Sequence, residues 1–115
     1  MPFINELGRG LIIEINGNRM RNIMTGTYYE LSGNQVYLLG KGPIYRIEGN
    51  RIKDAYGSYL LEISGSFIRK TFGGPFAEFN GSRIRTFDNS RIYEINGSIN
   101  MNQLMLLIAV LFGRY

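Results

Sequence analysis

At 115 residues, with 44% apolar and 19% charged side chains, the chain is suited to one folded domain and is too apolar to stay disordered. It holds neither cysteine nor histidine, which removes disulfide frameworks, thiolate and imidazole zinc sites, cysteine nucleophiles and histidine general bases. The formal charge is +4, and fifteen glycines, about twice the ordinary share of ~7%, ask for many turns.

The opening Met-Pro-Phe-Ile-Asn-Glu has neither a basic region nor an apolar run, so no secretory signal is read there; together with the lack of cysteine this sets the expectation of a cytoplasmic protein. Residues 3–10 have the pattern of the returning half of a hairpin that lacks its first strand. Glycine then recurs at 17, 33, 49, 65, 81 and 97, an unbroken interval of sixteen, which marks tandem copies over 11–26, 27–42, 43–58, 59–74, 75–90 and 91–106. Copies begin with an apolar pair, as in Ile44-Tyr45, Leu60-Leu61 and Ile92-Tyr93, followed by a charge and a further apolar residue.

A turn follows, as in Asn16-Gly17, Ser32-Gly33 or Asn96-Gly97, where Gly and Asn accept the positive φ of a tight strand reversal. Beyond it an aliphatic residue returns at Met20, Val36, Ile52, Ile68 and Ile84 between alternating polar positions, the period-two pattern of a strand. A second turn, marked by Gly26, Gly42-Pro43, Ser58, Gly73-Gly74-Pro75 or Asn89-Ser90, closes the copy. One copy is therefore one β-hairpin, and the fold class is all-β: a single domain over 1–115 of six hairpins. Twelve strands at ~4.8 Å spacing are too broad for a flat sheet in so short a chain, so they should surround an apolar axis or curl into a closed meander. Half copies at the two ends can close that ring by pairing.

The tail, residues 104–112, is nine unbroken apolar residues. As a helix it spans only ~14 Å, about half of a ~30 Å bilayer core, so no transmembrane segment is expected. It reads first as a buried helix or strand plugging the array, with a surface for homo-oligomers or membrane contact as the other reading.

The recurring Ile-Tyr-Glu-Ile-Asn-Gly-Ser (92–98) and Ile-Tyr-Arg-Ile-Glu-Gly-Asn-Arg-Ile-Lys (44–53) units, with the apolar C-terminal stretch, resemble the four-fold beta flower family of small bacterial proteins. That resemblance covers about residues 12–95 and implies radiating β-hairpins and no catalytic residues.

Charge falls at fixed repeat positions. Glu14, Glu30, Glu62, Glu78 and Glu94 precede the turn, and Arg19, Arg21, Arg51, Lys53, Arg69, Arg83 and Arg85 follow it, so cross-strand pairing accounts for most of them. Arg46 stands where the third copy should have Glu. With Arg51, Lys53, Arg69 and Lys70 it forms a run of cations with no facing Glu before Glu62, a candidate anion-binding patch that Tyr45, Tyr56 and Tyr59 could flank with stacking surfaces. Phosphate, nucleic acid and anionic lipid head groups would all suit it.

The repeated glutamates serve the repeat before they serve catalysis, because a catalytic pair needs two unlike environments. No catalytic, metal or cofactor site is assigned. The expected function is a non-catalytic binding or structural module, self-associating through its tail or rim, with polyanion or nucleic-acid binding through the basic patch as the alternative.

Overall fold

The computed structural model describes residues 2–113. Twelve antiparallel strands follow one another in chain order: β1 (Phe3–Glu6), β2 (Gly10–Asn16), β3 (Arg19–Asn22), β4 (Tyr28–Ser32), β5 (Gln35–Leu38), β6 (Gly42–Glu48), β7 (Arg51–Asp54), β8 (Tyr59–Ser64), β9 (Phe67–Lys70), β10 (Pro75–Asn80), β11 (Arg83–Thr86) and β12 (Ile92–Asn96). Each pairs with its chain neighbours, and β1 also pairs with β12, closing a barrel. In that closure Phe3 lies opposite Asn96 and Glu6 opposite Tyr93, so the first strand of the chain is the return strand that the sixth copy lacks. The expected half copies thus complete one hairpin between them, and no sheet edge is left open.

The apolar pair that opens a copy breaks strict alternation, and a β-bulge explains it. Between β1 and β2, β5 and β6, β7 and β8, and β9 and β10 the register skips one residue, which is Ile12, Ile44, Leu60 and Phe76 respectively. An extra residue on one strand lets two successive side chains turn inward and bends that strand. Ile12 with Ile13, and Ile44 with Tyr45, are accordingly both buried. The bend recurs at one repeat position and supplies the curvature a closed barrel needs.

A second repeated device couples adjacent hairpins at the Asn-Gly turns. The backbone N–H groups of Leu31, Ile47, Ile63, Phe79 and Ile95 donate to the carbonyls of Asn18, Asn34, Asn50, Ser66 and Ser82, each the residue after a repeat glycine. Ile15 N–H donates to Pro2 in the same relation, sixteen residues before Asn18. In two copies the side chain adds to this, Asn18 Nδ2 to Leu31 O and Asn50 Nδ2 to Ile63 O, both at 2.7 Å.

An eight-stranded barrel can be filled by its own side chains, whereas twelve strands enclose a wider lumen. Helix α1 (Met101–Phe112) fills it. Leu104, Met105, Leu106, Leu107, Ile108 and Ala109 are buried in succession, which on a 3.6-residue period means that every face of the helix is covered. They join one core with Ile4, Ile15, Met20, Val36, Ile52, Ile68 and Ile84 from the strands. Twelve residues give a helix of about 18 Å, which suits a molecule with extents of 33 × 31 × 22 Å.

The helix starts three residues before the apolar run because of its cap. Asn100 Oδ1 accepts from Gln103 N–H at 2.8 Å while Gln103 Oε1 accepts from Asn100 N–H at 2.9 Å, a reciprocal box that satisfies two end donors. Gln103 Nε2 also donates to the Gly17 carbonyl at 2.8 Å, tying the helix start to the first hairpin turn. Of the two readings of residues 104–112, the fold adopts the plug for Leu104 to Ala109, whereas Val110, Leu111 and Phe112 are half-buried where the helix reaches the mouth of the barrel. No helix among the described residues is long and apolar enough to cross a membrane.

Candidate functional site

The outer wall carries the predicted charge pattern as a belt of cross-strand ion pairs. Arg21 meets Glu14 at 3.0 Å, Arg19 meets Glu30 at 2.8 Å, Arg83 meets Glu94 at 3.3 Å, and Arg85 pairs with Glu78. Glu62 lies 3.4 Å from both Arg51 and Arg69.

The five proposed anion-binding cations do not form one patch. Arg51 and Arg69 share Glu62, and Lys53 Nζ lies 3.0 Å from Glu48, whose hydrogen bond is the main cause that raises the lysine's pKa. Glu48 stands directly before the repeat glycine Gly49, where other copies have Asn16 or Ser32, and the β6–β7 register sets it opposite Arg51 and within reach of Lys53, which corrects the expectation of no facing Glu before Glu62. Lys70 projects away from the belt and lines a depression at one mouth of the barrel. Arg46 keeps the expected character: it is exposed, opposite Gln35 and Lys53 in register, and has no carboxylate partner among the described residues.

The tyrosines expected to flank the patch also separate. Tyr45 is 1% exposed and belongs to the core, so it offers no stacking face; this corrects the sequence expectation, and the reason is strand alternation, which sets Tyr45 opposite buried Val36 and on the same inward face as Ile47. Tyr59 is covered by its own neighbours, with Lys53 Nζ 4.5 Å and the Arg51 guanidinium 5.2 Å from its ring centre. Tyr56 is 92% exposed, on the turn after β7.

That turn belongs to a feature that strand patterning did not reveal. In an antiparallel barrel alternate connections share one rim. The rim formed by the repeat glycines turns on small polar residues: Gly17-Asn18, Gly33-Asn34, Gly49-Asn50, Gly65-Ser66, Gly81-Ser82 and Gly97-Ser98, the last followed by half-buried Ile99, with Phe67 and Met101 as exposed apolar neighbours.

Each of the six connections on the other rim exposes a large apolar side chain. These are Leu7, Met24, Leu39, Tyr56, Phe72 and Phe87, with Tyr56 and Phe72 at 92% and 89% exposure. Local hydrogen bonding, not side-chain packing, holds several of these turns. Asp54 accepts from the N–H groups of Tyr56 and Ser58, and Asn22 accepts from those of Met24 and Thr25. Asp88 accepts from the Ser90 N–H and the hydroxyls of Ser90 and Thr86, which lowers its pKa to about 2.

The helix ends at this apolar rim. The Phe112 ring meets Phe76 and Tyr93 edge-on at 5.1 and 6.1 Å, and the Arg91 guanidinium lies 5.6 Å from its centre. Beside it a depression of about 400 Å³ is lined by Leu60, Leu61, Lys70, Thr71, Phe72 and Phe112. Gly113 fits where a Cβ would strike the Tyr45 hydroxyl and the Ala109 carbonyl, so the chain leaves the helix through a passage open only to glycine.

Charge is also unequal between the rims. The turn residues of the apolar rim include Arg9, Lys41 and Arg91 against Asp88, and those of the polar rim include none. Among the described residues no group of three or more acidic side chains is gathered that could hold a metal ion. The rim was legible in principle as apolar residues at 7, 24, 39, 56, 72 and 87, close to the sixteen-residue interval. Compared with family models, curated proteins and solved structures, the chain has no match.

Proposed function

We propose that this protein is a non-catalytic binding module whose contact face is the apolar rim. The observation that carries the reading is the asymmetry of the barrel: six exposed apolar turn residues at one end and six Gly-Asn or Gly-Ser turns at the other. Isolated exposed apolar residues are ordinary on any surface, whereas one on every turn of a single face is the mark of an interaction surface. The resemblance to the four-fold beta flower family fits this reading, since it implies hairpins and no catalytic residues.

Retention on a phenyl matrix tests it. Tyr56→Ser with Phe72→Ser should elute earlier than the unmodified protein while melting at the same temperature, because neither ring packs in the core. Unchanged retention would show that these rings are not an accessible contact face and would remove the reading.

A second reading, polyanion or nucleic-acid binding on the outer wall, is favoured at one position. Arg46 interrupts the ion-pair belt without a carboxylate partner among the described residues, and a shallow cavity of about 230 Å³ beside it is bounded by Gln35, Tyr56 and Asp54. Because Arg51, Lys53 and Arg69 already have carboxylate partners, this reading centres on Arg46 and not on all five cations. It predicts retention on heparin that falls steeply with salt. Retention unchanged by Arg46→Glu with Arg51→Glu would remove it.

A further inference from the structure

We propose that the apolar rim seats on an anionic lipid surface, with Tyr56 and Phe72 as its principal anchors; this rests on the reading of the rim as the contact face and names its partner. The first argument is spacing. Twelve strands at ~4.8 Å give a circumference of about 58 Å, so the six turns stand about 10 Å apart. Phe87 leans edge-on against the Phe67 ring of the wall, 5.9 Å between centres, and the other five apolar side chains are separate fingers, each flanked by its own polar turn with Gly8, Gly26, Gly40, Gly57 or Gly73. A rigid protein partner would need a matching socket for each of the five, and a second copy would meet fingers with fingers. A fluid lipid interface closes around each finger without such a match.

The second argument is residue type. Tyr, Phe, Leu and Met are the side chains at the tips, and amphipathic aromatic residues favour the level of lipid head groups. Large apolar residues beside basic ones are the pattern by which folded proteins lie on membranes without crossing them.

Charge is the third argument. Arg9, Lys41 and Arg91 lie on the turns of this rim and Lys70 beside the Phe72 depression, while the turns of the far rim carry no charge. Arg9 is paired with Glu6 at 3.2 Å and Arg91 lies over the Phe112 ring, while Asp54 and Asp88 keep their charge on the donors of their own turns. Counted over the turn residues alone, three cations against Asp88 leave this rim at a net +2 and the far rim at zero, a difference complementary to an anionic surface.

The chain has no tryptophan, so Phe72→Trp introduces a single reporter at the rim and Asn34→Trp a control at the far rim. On vesicles of phosphatidylcholine with phosphatidylserine, emission from the Phe72→Trp protein should shift to the blue and be quenched by brominated acyl chains, with no change for Asn34→Trp. Partitioning should drop roughly tenfold or more for each of Tyr56→Ser and Phe72→Ser, the factor expected when a large apolar anchor is lost. Lys41→Glu with Lys70→Glu should weaken binding to serine-containing vesicles by roughly fivefold or more per charge and leave the weak binding to pure phosphatidylcholine unchanged.

An unshifted Phe72→Trp emission with vesicles overturns the proposal, and so does equal binding to the two vesicle types. If the emission shift instead follows protein concentration and sedimentation shows a dimer that Tyr56→Ser with Phe72→Ser dissociates, the partner is a second copy and the lipid assignment falls. In either failure, phenyl-matrix retention that still depends on Tyr56 and Phe72 leaves the rim as the contact face. Retention independent of them removes both readings.

Discussion

The helical plug makes the sharpest prediction, because it places six successive residues of one short helix inside a closed wall. Leu107 is fully buried, with Leu106 and Ile108 equally so on either side. Leu107→Ala removes three carbon atoms from a site enclosed by a hydrogen-bonded barrel that cannot collapse inward without breaking its ladder. The cost should lie in the usual range for cavity-forming changes of this kind, about 3 kcal/mol. At ~2.1 cal/mol/K per residue, unfolding a chain of this length carries an entropy of roughly 0.24 kcal/mol/K, so the melting temperature should fall by about 12 °C. Met101→Ala on the exposed first turn, where Met101 is 63% accessible, should change it by no more than about 2 °C. Differential scanning calorimetry of the two variants decides the matter. A drop below ~3 °C for Leu107→Ala, or equal drops for the two, would mean that the helix does not fill the barrel and that the account of the core is wrong.

Three further outcomes follow from other parts of the fold. Asp88 is held at about 2, below its ordinary 3.8, by the Ser90 N–H and the Ser90 and Thr86 hydroxyls, so its contribution is complete above pH ~4 and is lost as pH falls through 2. The melting-temperature gap between the protein and Asp88→Asn, read at pH 5 and again near pH 2, should close at the acid end; a constant gap would contradict the assignment. Gly65 sits at φ +63°, so Gly65→Ala should cost about 1–2 kcal/mol in urea unfolding, whereas Gly74→Ala, at a position without positive φ, should be close to neutral. Removing residues 1–6 deletes β1 and opens the closure, leaving β2 and β12 as bare edges; light scattering should report association or precipitation in place of a monomer.

The sixteen-residue glycine period carried the strand count, the hairpin order and the completion of the ring by the two ends, because each depends on local turn chemistry and on alternation that any single copy displays. The plug was legible for a similar reason: nine apolar residues too short for a bilayer need an interior, and a wide barrel supplies one. The bulges were not legible. An apolar pair such as Ile44-Tyr45 reads as one inward and one outward residue until the register is known; alternation with Ile47 turns Tyr45 inward, and the bulge adds Ile44 beside it in the core. Glu48 was missed by the same kind of reasoning. A residue before a turn glycine reads as part of the turn, although the Glu48 side chain reaches back along the wall to Lys53 at 3.0 Å. The basic patch broke up because sequence shows which charges share a strand and not which carboxylate the neighbouring strand brings beside them.

The rim stands apart from all of these, because the fold does not require it. A hairpin connection needs a residue that tolerates its dihedral angles and partners for its backbone groups, and Asp54, Asp88 and Asn22 provide such partners without help from Tyr56, Phe87 or Met24. At the other rim, glycine with Asn or Ser meets the same need six times. Large apolar residues on six solvent-facing turns therefore contribute little to stability and carry a cost in solubility. Residues that burial explains, such as Ile52 or Ile68, are accounted for by the barrel; Tyr56 and Phe72, almost fully exposed, are accounted for only by something outside it. The part of the chain that folding leaves unexplained is thus gathered on one face, and on that face the search for this protein's partner should begin.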